Sequence, residues 1–273
     1  MSISSVSLSA SARANLSALQ NTANLLQTTQ SHLATGKAVN SAVDNATAFF
    51  ASQGFLNRAS QLSDVKNSLG TALQVVTSTT NSISDVSDVV NQLNGIVTQA
   101  LGTTDTTTRA GLATQFNSLL TQLDELVNDA SFNGTNLLNS TGSSLVVFFN
   151  ETNTTQLTIS GVNVTSAGLS IATAAGAFAT TANIQTSQSL LLTALSTLRT
   201  DAANFGGNAT LIQTRQDFTT NLINSLQTAS DNLVLADTNQ EGANLQALQA
   251  QDQLGIVSLG ISGQLAQAIL KLF

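Results

Sequence analysis

Residues able to do chemistry are few in this chain, and none falls in a pattern that would work as a site. His32 is the only histidine. A metal or general-base role would need partner residues at set spacings, and these are missing, so His32 reads as a polar helix position near a turn. Asp124-Glu125, and Asp85 with Asp88, are carboxylate pairs of the kind used in acid–base work. No apolar cleft is there to shift their protonation, and they read as solvated helix faces. The chain has no Cys, which excludes disulfides, thiolate metal sites and a Cys nucleophile. No Gly-x-Gly-x-x-Gly or Walker pattern occurs. Triplets such as Asn133-Gly134-Thr135, Asn153-Thr154-Thr155 and Asn208-Ala209-Thr210 match the N-glycosylation pattern, but chance supplies them in a chain so rich in Asn, Ser and Thr. Gly242 and Gly255 read as points of helix flexibility or close helix contact. The expectation is a protein that is not an enzyme and binds neither cofactor nor metal.

The composition points instead to long, thin helical packing. Of 273 residues, 42% are hydrophobic but only 4% aromatic, with no Trp or Tyr. Charged residues make up 8%, against a usual share of about a quarter. The polar surface therefore comes from Ser, Thr, Asn and Gln, which repel neighbouring copies weakly. Proline is absent, which removes the strongest helix breaker. The net charge is −7, and the eight basic residues (Arg13, Lys37, Arg58, Lys66, Arg109, Arg199, Arg215 and Lys271) are scattered. That distribution argues against nucleic acid and anionic membrane surfaces as partners. No apolar run reaches the ~18 residues of a membrane span. The start lacks the basic and apolar regions of a secretory signal, so any export is expected to use another route.

Apolar periodicity defines the elements. Leu62, Val65, Leu69, Ala72, Val76, Thr79, Ile83, Val86, Val90, Leu93, Val97 and Ala100 alternate steps of three and four, a sustained heptad. Such a helix would run roughly 58 Å. Gly102 to Thr108 breaks the pattern and reads as a loop. Leu112, Phe116, Leu119, Leu123 and Leu126 mark a return helix over 109–129, closed by the Asn133-Gly134 turn. Leu145–Phe149, Leu157–Ile159 and Val162–Val164 read as short strands. Residues 165–186 read as a surface loop. Helical period resumes near Thr186 with Leu191, Leu195, Leu198, Ala202 and Phe205. Gly206-Gly207 is a candidate bend, and Gly242 and Gly255 are weak points further on.

Both chain ends carry stripes of their own. Leu8, Ala12, Leu16, Leu19, Ala23, Leu26 and Leu33 lie on one side of a helix. Leu222, Leu226, Ala229, Leu233 and Ala236 form a second set, and Leu245, Leu248, Leu259, Leu265, Ile269 and Leu272 a third. Neither end can hide its stripe against itself, so the ends are expected to pair with each other and with other copies. Burying about eight aliphatic side chains contributes less than ordering roughly 35 residues costs. The termini of a monomer are therefore expected to be disordered and to become helical when neighbours cover them. The expected fold class is mainly α: long coiled-coil-like helices in a rod formed by both chain ends, with a small β-hairpin region at about 140–185. Residues 1–40 and 232–273 are expected to form a terminal-helix domain, and 41–231 an outer rod domain.

Three stretches resemble bacterial flagellin. Leu33-Ala34-Thr35-Gly36-Lys37-Ala38-Val39-Asn40-Ser41-Ala42-Val43-Asp44-Asn45-Ala46 is similar to the family's N-terminal signature, with Ala38 where a second basic residue is common. Ser131 to Leu138 is similar to its Phe-Asn-Gly turn, and Leu235 to Phe273 to its C-terminal helix, without the family's frequent final Arg. The resemblance implies a structural subunit that polymerises into the flagellar filament for swimming, secreted by the flagellar type III route. Its terminal helices would line the filament channel, with Leu8, Leu16, Leu19, Leu26, Leu33, Leu245, Leu248, Leu259, Leu265, Ile269 and Leu272 at the polymerisation interface. It also implies a filament cap, a hook-junction protein and an export chaperone as partners, and O-glycosylation at Thr103, Thr104, Thr106, Thr107 and Thr108 or in the 152–155 region. A hook–filament junction protein and a helical secreted adhesin are the alternative readings. Some relatives are sensed by an innate immune receptor through charged residues on the long helix. The matching stretch here, residues 91–100, has neither Arg nor Glu. A receptor reporter-cell assay is expected to show weak or no signalling, and strong signalling at low dose would contradict this.

Overall fold

The computed structural model describes residues 10–270. Its elements are α1 (Ala10–Thr35), α2 (Ala42–Leu101), α3 (Thr106–Asp129), β1 (Ser144–Phe148), β2 (Gln156–Ser160), α4 (Thr181–Val234) and α5 (Thr238–Leu270). The fold is mainly α with one antiparallel hairpin, as the apolar periodicity implies. Two compact units divide the chain. One takes the chain up to Asn57 and from Ser225 onward, and the other takes Arg58–Asn224. The expected divisions, near residues 40 and 232, follow the linkers; the compact units part within α2 and α4.

The heptad of α2 builds the second unit. All its members from Leu62 to Ala100 are buried except Val65, which is half-buried. Leu69, Ala72, Val76, Ile83, Val86, Val90, Leu93, Val97 and Ala100 share one core with Leu112, Phe116, Leu120, Leu123 and Val127 of α3 and with Ile184, Leu191, Ala194, Leu198, Phe205 and Ile212 of α4. Each chain reversal has a polar reason. The loop after α2 is shorter than the expected 102–108, because Asp105 caps α3 by accepting from the Thr108 amide at 2.7 Å. Thr106, Thr107 and Thr108 therefore lie in the first turn of α3. At its other end, the Asn136 amide donates to the carbonyls of Val127 (2.8 Å) and Asn128 (3.1 Å), groups a helix terminus leaves unpaired. Leu137 and Leu138 then enter the core.

Residues 161–180 depart from expectation. Val162–Val164 forms no third strand; only Asn139 and Asn163 make an isolated bridge. The segment expected as a surface loop packs inward. Leu169, Ile171, Ala174 and Phe178 are buried, and the Phe178 ring meets Phe116 edge-on, centroids 5.4 Å apart. Asp124 holds this segment by accepting from the Ser166 amide (2.6 Å) and hydroxyl (2.7 Å), so it is not on a solvated face as expected. Helix α4 starts at Thr181, earlier than expected, and runs through Gly206-Gly207 unbroken; α5 likewise continues through Gly242 and Gly255. Segment 161–180 has weak periodicity because its apolar residues anchor single turns, not a continuous face.

Arg109 is also buried, and among the described residues it has no carboxylate partner. Its guanidinium donates to the Ala100 (3.2 Å), Thr103 (2.8 Å) and Ala179 (3.4 Å) carbonyls and to the Thr181 hydroxyl (3.3 Å). It thereby ties the end of α2 to the start of α4. Hairpin strands β1 and β2 pair in the register Leu145↔Ile159 and Val147↔Leu157, burying Val147 and Ile159. Their connection is anchored by Arg58 donating to Glu151 at 2.8 Å and by Arg215 lying 4.9 Å from the Phe149 ring centre.

Truncating Phe116 to Ala should destabilise this unit by about 3–5 kcal/mol. A double-mutant cycle with Phe178→Ala should return a coupling of about 0.5–1.5 kcal/mol in denaturant melts.

Candidate assembly surface

The first unit is built around two linkers stitched together. Gly36 turns the chain after α1 with φ +70°, a conformation that glycine accepts without a Cβ clash. The linker between α1 and α2 then pairs with the one between α4 and α5. The Ala38 and Val39 amides donate to the Val234 carbonyl (2.8 and 3.2 Å), and the Ala236 amide donates to Gly36 (3.0 Å). Asp44 closes the turn into α2, accepting from the Asn40 and Ser41 amides at 2.9 Å each. These bonds hold its carboxyl below the ordinary value of 3.8. Asn45 is extended and caps the next turn through the Ala48 amide at 3.0 Å. The Thr35–Ala46 stretch is thus a device for two successive helix starts.

Beyond these linkers α1 and α5 run antiparallel in contact. Asn15 donates to Ser258 at 3.0 Å and Ser262 at 3.3 Å. Leu19 faces Gly255, where an added Cβ would come within 2.8 Å of its Cδ1 atom. His32 Nδ1 donates to Glu241 at 2.8 Å. Close helix contact, one of the two readings offered for Gly255, is what that glycine serves. His32 is a cross-helix link, not merely a polar position near a turn. Its hydrogen bond is the first cause holding the Glu241 carboxyl below the ordinary 4.5.

The apolar side chains divide into two groups. Leu16, Leu19, Leu26 and Leu33 of α1 and Leu245, Leu248 and Leu259 of α5 are half-buried, on the faces the two helices turn to one another. A second α5 stripe, Leu254, Val257, Ile261 and Leu265, is 70, 59, 54 and 61% exposed, respectively. Leu25 of α1 is 56% exposed. Leu8 and Leu272, and the side chain of Ile269, lie outside the described residues. Among the described members of the sequence-derived interface set, Leu265 alone falls in the exposed stripe. Leu254, Val257 and Ile261 are additions; their own steps of three and four were a readable signal.

The comparisons with known proteins match this picture. Residues 6–143 match the family model for the bacterial flagellin N-terminal helical region. Flagellin FljN of Caulobacter vibrioides is 32% identical over 282 residues, covering all of both chains. The chain belongs to the bacterial flagellin family. Flagellins are structural subunits that polymerise into the flagellar filament driving motility, and this flagellin is such a subunit. Flagellin of Brucella melitensis is 27% identical, with 99% of each chain covered. Among solved structures, Bacillus cereus flagellin aligns with TM-score 0.50 at 18% identity, covering 56% of this chain and 88% of that one. A putative flagellar hook-associated protein of Vibrio parahaemolyticus aligns with TM-score 0.59 at 13% identity, covering 70% and 100%; this likeness is one of fold.

The remaining candidate sites can now be placed on this flagellin. Thr104, Thr106, Thr107 and Thr108 are exposed and Thr103 half-buried, with the Thr108 hydroxyl engaged by Asp105. Among the described residues no helix is long and apolar enough to cross a membrane, and no His, Cys, Asp or Glu cluster could hold a metal.

Acid should loosen the α1–α5 pair. A carboxyl whose pKa is lower folded than unfolded stabilises above its unfolded value and loses that contribution as pH falls through the folded one. The contribution of Glu241 should therefore fade once pH drops below about 4.5. Asp44 acts in the same direction, so wild type and Glu241→Gln must be compared in acid titrations followed by helical circular dichroism. The variant should have the shallower acid transition.

Proposed function

We propose that the second apolar stripe of α5 is the surface through which this flagellin is covered by other copies in the filament. The observation that carries the reading is the exposure of Leu254, Val257, Ile261 and Leu265 in one row beside the face of α5 that α1 already takes. Four large aliphatic side chains in one row are seldom left in water without a partner. A contact between this stripe and a different face of the next subunit is heterologous and need not close, which suits a growing helical tube. The half-buried seam residues, with Leu8, Ile269 and Leu272, would become fully covered by the same event. The low surface charge leaves little repulsion to oppose such packing.

The same exposed stripe gives a reason for the escort that likeness to flagellins implies. Before assembly, α5 needs an export chaperone to shield it. At the growing end a filament cap retains the subunit while its terminal helices fold, and at the base a hook-junction protein supplies the first matching surface. Export through the flagellar type III channel places the protein outside the cell. Thr104, Thr106 and Thr107, exposed at the start of α3, are the proposed O-glycosylation positions in this reading.

The test is the critical concentration for polymerisation, read by sedimentation and electron microscopy. Leu254→Ser or Ile261→Ser should each remove about 1.5–3 kcal/mol of burial per subunit. That corresponds to a critical concentration raised about 10- to 100-fold. The denaturant melt of the Arg58–Asn224 unit should be unchanged. Filaments that form at wild-type concentration from the double variant would overturn the assignment.

A further inference from the structure

We propose that Asn133 is a site of spontaneous deamidation, and that Asn94 is protected from it by its place in the fold. These are the chain's two Asn-Gly pairs. In this reaction the backbone nitrogen of the following glycine attacks the side-chain Cγ. The new N–C bond forms, the Cγ–Nδ2 bond breaks, and ammonia leaves carrying the proton lost from the backbone amide. Water then opens the resulting imide at either carbonyl, giving aspartate or isoaspartate. No oxidant, enzyme or cofactor is needed. Glycine is the most permissive follower because no Cβ hinders the approach, and asparagine is among the thermolabile residues for this kind of reason.

The two sites differ in everything that controls the attack. Asn133 and Gly134 are exposed at the centre of a two-residue turn, with φ of 50° and 78°. Two backbone bonds hold the turn, Phe132 to Thr135 at 2.9 Å and Thr135 to Phe132 at 3.0 Å. Among the described residues the Gly134 N–H takes part in neither of these bonds nor in any other. The nucleophile is therefore already free, and opening two exposed bonds releases the dihedral that must rotate. Asn94 lies within α2 beside the fully buried Leu93, and its Oδ1 atom is buried without a hydrogen-bond partner. There the glycine N–H belongs to the helical ladder, and attack requires a packed core helix to open.

The product alters its surroundings. Asn133 lines a groove of about 600 Å³ together with Asp64 and Glu151, so deamidation adds a third carboxyl to one wall system. The isoaspartyl form also inserts a backbone methylene into the turn, which is incompatible with keeping both Phe132–Thr135 bonds. An ageing filament would thus gain charge and lose order at this one turn, subunit by subunit.

The experiment is peptide mapping by mass spectrometry with fragmentation that separates aspartate from isoaspartate. Full-length protein is incubated folded in mildly alkaline buffer, beside a urea-denatured sample of the same chain. The denatured chain should be modified at both sites. The folded protein should be modified at Asn133, as a mixture of the two products, with Asn94 slower by about tenfold or more. A Gly134→Ala variant should slow the reaction at Asn133, although strain at φ +78° makes the two-site comparison in the unaltered chain the primary readout. Equal rates at the two sites in the folded protein, or an intact Asn133 when the denatured sample has reacted, would overturn the proposal.

Discussion

Two helices lying side by side can shield only the stripe that each turns to the other, and whatever apolar surface lies elsewhere stays in water. That constraint governs the chain ends here. On α5 the first stripe, containing Leu245, Leu248 and Leu259, is half-covered by α1, and the second, Leu254 to Leu265, is left over. In the Arg58–Asn224 unit the heptad is nearly all covered, every member from Leu62 to Ala100 but Val65 being buried, and Phe116 meets Phe178 edge-on within its core. The Arg58–Asn224 unit buries its heptad core within itself, although Leu192 and Phe218 stay exposed there, while the terminal unit leaves a whole row of α5 in water. In the proposed reading, that uncovered row is what assembly with other copies covers.

The polar contacts between α1 and α5 set geometry more than stability. Asn15 to Ser258 and His32 to Glu241 fix the antiparallel register at two levels, and Gly255 permits the close approach between them. Single hydrogen bonds of this kind add little net energy, because each replaces a bond to water. They do forbid sliding, and sliding would misplace the exposed stripe. The stitched linkers, Ala38 and Val39 to Val234 and Ala236 to Gly36, set the point from which both helices leave. Register and starting point together determine where each copy presents its apolar row.

Much of this was legible in the residues. The α2 heptad predicted its buried set almost member for member, because a long helix in a bundle has one burial period and no competing demand. The hairpin was visible for a similar reason, through alternation and Gly/Asn turns. Segment 161–180 was not, since its anchors Leu169, Ile171 and Phe178 serve isolated turns without a repeating face. Asp124 read as part of a solvated face, and neither Arg109 nor Asn136 carried a signal of its role, because most of their partners are backbone groups that no side-chain pattern announces. On α5 two apolar stripes overlap in sequence, and reading them as one merged the covered row with the exposed row.

Hydrogen exchange measured residue by residue over 10–35 and 238–270, in dilute monomer and in filament, tests the demand for neighbours most directly. Helices with so much uncovered apolar surface should be marginal alone. Their amides should exchange quickly in the monomer, while those of the α2 heptad stay protected, and should become strongly protected in the filament. Equal, strong protection of α1 and α5 in the dilute monomer would mean that the ends are satisfied within one chain, and would contradict assembly-coupled order.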